Sequence, residues 1–121
     1  MGQSKAVILC VDDEENPLIL RKLVLEKAGY EVITANSGKK ALEILQSQPV
    51  HLVLSDLLMP GMTGTELARQ VKQLYPKIPV VLVSGVNEIP PEATYADLFI
   101  SKVEGPVSLC ENISTVLEKN L

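Results

Sequence analysis

The chain has no tryptophan, one phenylalanine and three tyrosines in 121 residues, so its core must be built from aliphatic side chains. That suits sheets covered by helices. Cysteine is scarce: Cys10 lies in an apolar run, Cys110 in a helical pattern, and no C-x-x-C occurs. The two read as small buried thiols in a reducing compartment. No basic run appears and the net charge is −4, which speaks against nucleic acid or an anionic membrane as a direct partner. No stretch reaches membrane-spanning length. The first apolar run, Ala6 to Val11, is too short for a signal peptide and ends in four acids. Position six is Ala6, not the Ser or Thr that myristoylation wants. The chain therefore reads as cytoplasmic, and Asn112-Ile113-Ser114 as a glycosylation sequon that never meets its machinery. Internal repeats, low-complexity stretches and linkers are also lacking, so residues 1–121 are expected to form a single domain.

What is there is an alternation of strand and helix signals. Ala6 to Val11 is continuously apolar, the mark of a strand buried on both faces. Asn16-Pro17 predicts an N-cap and a first helical residue, and Gly29 a stop after Ala28. Leu20, Val24 and Ala28 are the expected inner face, with Ile19 and Leu23 pointing outward. Glu31 to Ala35 is the second strand. Ser37 caps a second helix running to about Gln46, with Ala41, Leu42 and Leu45 inside. Leu52 to Ser55 is the third strand. Thr63-Gly64 leads into a helix through Leu74, with Leu67, Ala68, Val71 and Leu74 inside. Val80 to Val83 and Leu98 to Ser101 are the fourth and fifth strands. Gly105-Pro106 opens the last helix, which carries Leu109, Ile113, Val116 and Leu117. Between the last two strands, Pro90-Pro91 leaves little room, so a shortened or irregular helix is expected there. The pattern predicts an α/β fold: a doubly wound, five-stranded parallel sheet of flavodoxin-like order 2-1-3-4-5.

Four of the strands end on a polar group. Asp12 and Asp13 follow the first, Asp56 the third, Ser84 the fourth and Lys102 the fifth. In open α/β sheets, ligands bind at the carboxyl ends of the strands, where the strand order reverses. Order 2-1-3-4-5 makes strands one and three neighbours there, so the three aspartates share a pocket facing Ser84 and Lys102. Two carboxylates about 4 Å apart interact by roughly 4 kcal/mol at an effective dielectric of about 20. Mg²⁺, a hard cation that takes oxygen ligands and keeps waters, would relieve that repulsion. Asp56 would then be free to attack phosphorus, as carboxylates do in aspartyl-phosphate chemistry. Taken singly, each residue has an ordinary reading as an acidic turn, a strand-end hydroxyl or a surface lysine. Their joint placement is what points to a site. His51 precedes the third strand, at the opposite end, and reads as a surface residue.

Asp12-Asp13, Asp56-x-x-Met59-Pro60-x-x-x-Gly64, Ser84 and Phe99-x-x-Lys102 resemble, in order and spacing, the receiver domain of two-component response regulators. The resemblance covers essentially the whole chain. It implies that Asp56 accepts a phosphoryl group from a histidine kinase or phosphotransfer protein. It also implies that Asp13 binds Mg²⁺ directly, Asp12 through water, and the Leu58 carbonyl as a further ligand. Lys102 would pair with a phosphoryl oxygen, the Ser84 hydroxyl would move to another, and Phe99 would occupy the switch position. Such a domain catalyses its own phosphorylation and is not a turnover enzyme.

The sequence departs from that family in places. Lys102 is followed by Val103 where the family has proline, so either a trans bond with a rerouted loop or a strained cis bond is expected. Phe99 stands where tyrosine is more familiar, so any switch there works by packing alone. Leu58 and Val86 are apolar and cannot orient a water, which predicts slow self-dephosphorylation. Ile19 and Leu23 read either as ordinary scattered surface residues or as a docking surface for a kinase or a second copy of the chain. Three other functions compete. A phosphatase using an aspartyl-phosphate needs an acid at position 58, which is Leu. A flavin or nucleotide carrier needs a Gly-, Ser- or Thr-rich loop after the first strand, where four acids stand. A degenerate receiver acting as an unphosphorylated binding module would not need the acceptor, acidic pair and lysine, all of which are present.

Overall fold

Runs of β-branched and leucine side chains form five parallel strands: β1 (Val7–Val11), β2 (Glu31–Ala35), β3 (Leu52–Asp56), β4 (Val80–Ser84) and β5 (Leu98–Ser101). In the computed structural model, which describes residues 6–85, 95–102 and 105–120, they make one sheet in the order β2-β1-β3-β4-β5. Four helices are described: α1 (Glu15–Lys27), α2 (Gly38–Ser47), α3 (Gly64–Leu74) and α4 (Pro106–Lys119). The expected irregular helix around Pro90-Pro91, Val86 and the Lys102–Val103 bond lie outside the described residues.

Strand pleating divides the core in two. Leu9, Val11, Val53, Val80 and Leu82 face α2 and α3, where they meet Ala41, Ile44, Leu45, Leu67, Ala68 and Val71. Ile8, Cys10, Leu52, Leu54, Val81, Val83 and Ile100 face α1 and α4, where they meet Leu18, Leu25, Ile113 and Val116. β1 and β3 are buried on both faces, as their unbroken apolar runs require.

Local signals set most boundaries. The side chains of Ser37 and Thr63 cap α2 and α3 by accepting from the N–H groups of Lys40 and Glu66. Gly29, at φ 103°, lets the chain leave α1 through the left-handed region. Pro106 stands at the start of α4 after Gly105. The start of the fifth strand is pinned at the end of the sheet remote from the acids. Asp97 donates its N–H to the Val80 carbonyl at 2.7 Å. Its Oδ2 accepts the Val80 N–H at 2.7 Å and pairs with Lys72 Nζ at 2.7 Å.

Three helix expectations are corrected. α1 begins at Glu15 with Glu14 as its N-cap, so Pro17 is its third residue. The Asp12 Oδ1 atom accepts the Glu14 N–H at 2.9 Å and turns the chain early. Proline is tolerated there because first-turn N–H groups have no partner within the helix. The inner face of α1 is Leu18 and Leu25, while Leu20 and Ala28 are exposed. Leu74 is exposed as well, because Tyr75 and Ile78 pack against that end of the core.

Candidate functional site: an acidic pocket at the strand ends

Asp12 directly follows β1, and Asp56 is the last residue of β3. The register pairs Val11 with Ser55, so the two strands end side by side. A two-residue step from Cys10 and from Leu54 turns both carboxylates toward the α1 and α4 layer. Asp12 is fully buried and Asp56 nearly so, while Asp13 is exposed. One oxygen from each of the three lies within 4.8 Å of the others.

The cations come from two elements. Lys102, just past β5, brings Nζ to 2.6 Å from Asp56 Oδ1. The ammonium arrives beside that oxygen, not along a hydrogen-bonding direction, so Oδ1 is buried and matched by charge alone. Such an oxygen, grouped with two more carboxylates, fits a hard divalent cation that takes oxygen ligands. The second cation is Arg21, whose Nη1 lies 2.8 Å from Asp12 Oδ2. Sequence reasoning missed it. The available signal was helical spacing: Arg21 is three residues after Leu18 and four before Leu25, on the stripe α1 buries. A charge on such a stripe needs a partner.

The loop after Asp56 is held closely. Leu57 donates its N–H to the Val83 carbonyl at 2.9 Å, and Gly64 donates to the Leu57 carbonyl at 2.9 Å. A Cβ on Gly64 would stand 2.3 Å from the Asp56 carbonyl oxygen, so only glycine lets α3 begin there. Gly61 takes φ 77° after Pro60, and Met59 is buried below the turn. Ser84 is buried at the end of β4, opposite Ser101, and its carbonyl accepts the Lys102 N–H at 2.8 Å. That bond ties the lysine's backbone to the strand beside β3.

Leu58, whose backbone carbonyl is the expected ligand, turns its side chain outward, and Phe99 lies on the other side of the sheet. The Leu58 side chain is 68% exposed. Phe99, opposite Leu82, is half-buried against the α2 and α3 side of the core. His51 is exposed, and its Nδ1 accepts the Val7 N–H at 2.9 Å. Both cysteines are free thiols. Cys10 is buried, and burial pushes its pKa up to about 12 against a smaller opposing pull from Arg21. Among the described residues, no helix is long and apolar enough to cross a membrane.

Known proteins share this fold. The family model for the response regulator receiver domain matches residues 8–114. The transcriptional regulatory protein GlrR of Escherichia coli (strain K12) is 38% identical over 90 residues, covering 74% of this chain and 20% of that protein. The chain thus spans about a fifth of that relative's length. The crystal structure of a CheY-like receiver domain protein from Methanospirillum hungatei JF-1 superposes with a TM-score of 0.89 at 31% identity, covering 97% of each chain. That of the response regulator TrrA from Thermotoga maritima, in complex with Mg(2+)-BeF, gives a TM-score of 0.87 at 30% identity, covering 92% of this chain and 98% of that one. With the family model covering residues 8–114 and the five-stranded sheet in the order β2-β1-β3-β4-β5, the chain belongs to the response regulator receiver domain family.

Proposed function

We propose that this chain is a phosphoacceptor switch, a single receiver unit in which Asp56 takes a phosphoryl group from a histidine kinase or phosphotransfer protein in the cytoplasm. The observation that carries this reading is Asp56 itself, a buried carboxylate with one oxygen facing Lys102 and no hydrogen-bond donor directed at it. A carboxylate oxygen of Asp56 attacks the phosphorus of a phosphohistidine. The P–O bond forms, the P–N bond breaks, and its electron pair returns to the imidazole nitrogen. Asp13 and Asp56, the Leu58 carbonyl and, through water, Asp12 would hold Mg²⁺. The ion would supply charge compensation for the phosphoryl oxygens. Lys102 then pairs with one phosphoryl oxygen and the Ser84 hydroxyl reaches another. Those movements couple the added charge, about −1.5 to −2, to the end of β4 and to Phe99. The exposed apolar Leu58 has no group to orient an attacking water, so the phosphorylated state is long-lived.

The test is incubation with a small phosphodonor and Mg²⁺, followed by intact mass. The unmodified chain gains one phosphate, and neither Asp56→Asn nor the chain in EDTA does. A gain that persists in Asp56→Asn refutes the assignment, and a phosphoryl lifetime of seconds refutes the role given to Leu58. A chain that takes up no phosphate at all leaves the unphosphorylated binding module as its function.

A further inference from the structure

We propose that Arg21 is a built-in counter-ion of the acidic pocket, competing with Mg²⁺ for Asp12 at rest and offsetting the charge that arrives when Asp56 is phosphorylated. This rests on the proposed Mg²⁺ and phosphoryl site, and it assigns a role to a residue outside the motif that identifies the family.

Both oxygens of Asp12 are already engaged. Oδ2 pairs with Arg21 Nη1 at 2.8 Å, and Oδ1 accepts the Glu14 N–H at 2.9 Å. The Arg21 side chain is 12% exposed and that of Asp12 fully buried, so solvent screens the pair weakly. Arg21 stays on the buried stripe of α1 between Leu18 and Leu25, where an aliphatic side chain would pack without cost. A cation kept there serves the carboxylates above it.

Counting formal charges shows what it does. The three aspartates against Lys102 and Arg21 leave the resting pocket one negative charge. A bound divalent ion turns that into one excess positive charge. Phosphorylation replaces the single charge of Asp56 with about −1.5 to −2, which brings the loaded pocket close to neutrality. Without Arg21, the same pocket is neutral with the metal alone and negative once phosphorylated. Arg21 therefore weakens Mg²⁺ binding at rest and strengthens the hold on a phosphoryl group. A residue that only props up the fold would move both affinities the same way.

The test measures two affinities by calorimetry: Mg²⁺ alone, and beryllofluoride at saturating Mg²⁺. Arg21→Met keeps the aliphatic stem and loses the charge; Arg21→Lys keeps the charge. Arg21→Met is expected to bind Mg²⁺ about fivefold tighter and beryllofluoride about fivefold weaker. Arg21→Lys should match the unmodified chain on both to within about twofold. If circular dichroism finds Arg21→Met unfolded, Arg21→Gln gives the same two readings. The proposal is overturned if both affinities move in one direction, if neither moves, or if Arg21→Lys behaves like Arg21→Met. Should the unmodified chain take up no Mg²⁺, the metal site itself falls and this role with it. If it binds and the uncharged variants bind no tighter, only the role of Arg21 falls.

Discussion

The α2 and α3 layer and the α1 and α4 layer cover the same sheet, yet they are made differently. Both helices of the first begin on a side-chain cap, and their buried positions are small or aliphatic. α1 and α4 begin on Glu14 and Gly105, with no side-chain cap bond. This second layer encloses the Asp12–Arg21 pair and holds the buried thiol of Cys10. It also leaves Ile19, Leu20, Leu23 and Val107 exposed, and Leu20 lines a groove of about 390 Å³ that Arg21 and Lys102 line as well. The buried positions of the first layer's helices carry no charge. The other layer gives up packing to put charge against the carboxylates and apolar surface near their mouth.

Removing a buried side chain from the α2 and α3 layer is the strongest way to break the comparison. Leu67→Ala, at a fully buried position of α3, should cost about 2–5 kcal/mol by chemical denaturation. A cost below about 1 kcal/mol would mean that α3 is not the packed layer claimed here.

An intermediate effect should appear with alkali. Folded Cys10 keeps its proton to about pH 12, while the unfolded thiol loses it near 9. The unfolded state is therefore favoured as pH rises from about 9 to about 12, and stability falls across that window. Subtracting the profile of Cys10→Ala from that of the unmodified chain isolates the loss. A flat difference would remove the thiol from the account.

The smallest change in stability, with a functional consequence, belongs to the outer face of α1. Replacing Ile19 and Leu23 together by serine should alter stability by only about 0.5 kcal/mol. It should slow phosphoryl transfer from a kinase while leaving uptake from a small phosphodonor intact. Unchanged transfer and unchanged self-association would make these two residues ordinary exposed apolar side chains.

The same contrast explains what could be read from the sequence. Where local chemistry decides, residues predicted structure well: Gly29, Ser37, Thr63 and Gly105-Pro106 mark helix ends, and Leu98–Ser101 is the fifth strand. The acidic pocket followed from strand order, since three carboxylates on adjoining strand ends had to meet. The phase of α1 was not legible. Leu20 looks like a core residue and Arg21 like a surface one, but a partner nine positions back in the chain reverses them. Leu74 misled for a related reason: whether a last-turn leucine is covered depends on where the following loop, here Tyr75 and Ile78, folds back.

The clasp around Asp97 has a mechanical consequence. Val80 holds that residue by two hydrogen bonds, and Lys72 holds its carboxylate, so β5 is moored before it starts. A strand moored at its root cannot slide along its neighbour when Lys102 is pulled at the tip. Force applied at the tip is then taken up at the tip, much as a loaded cantilever gives at its free end.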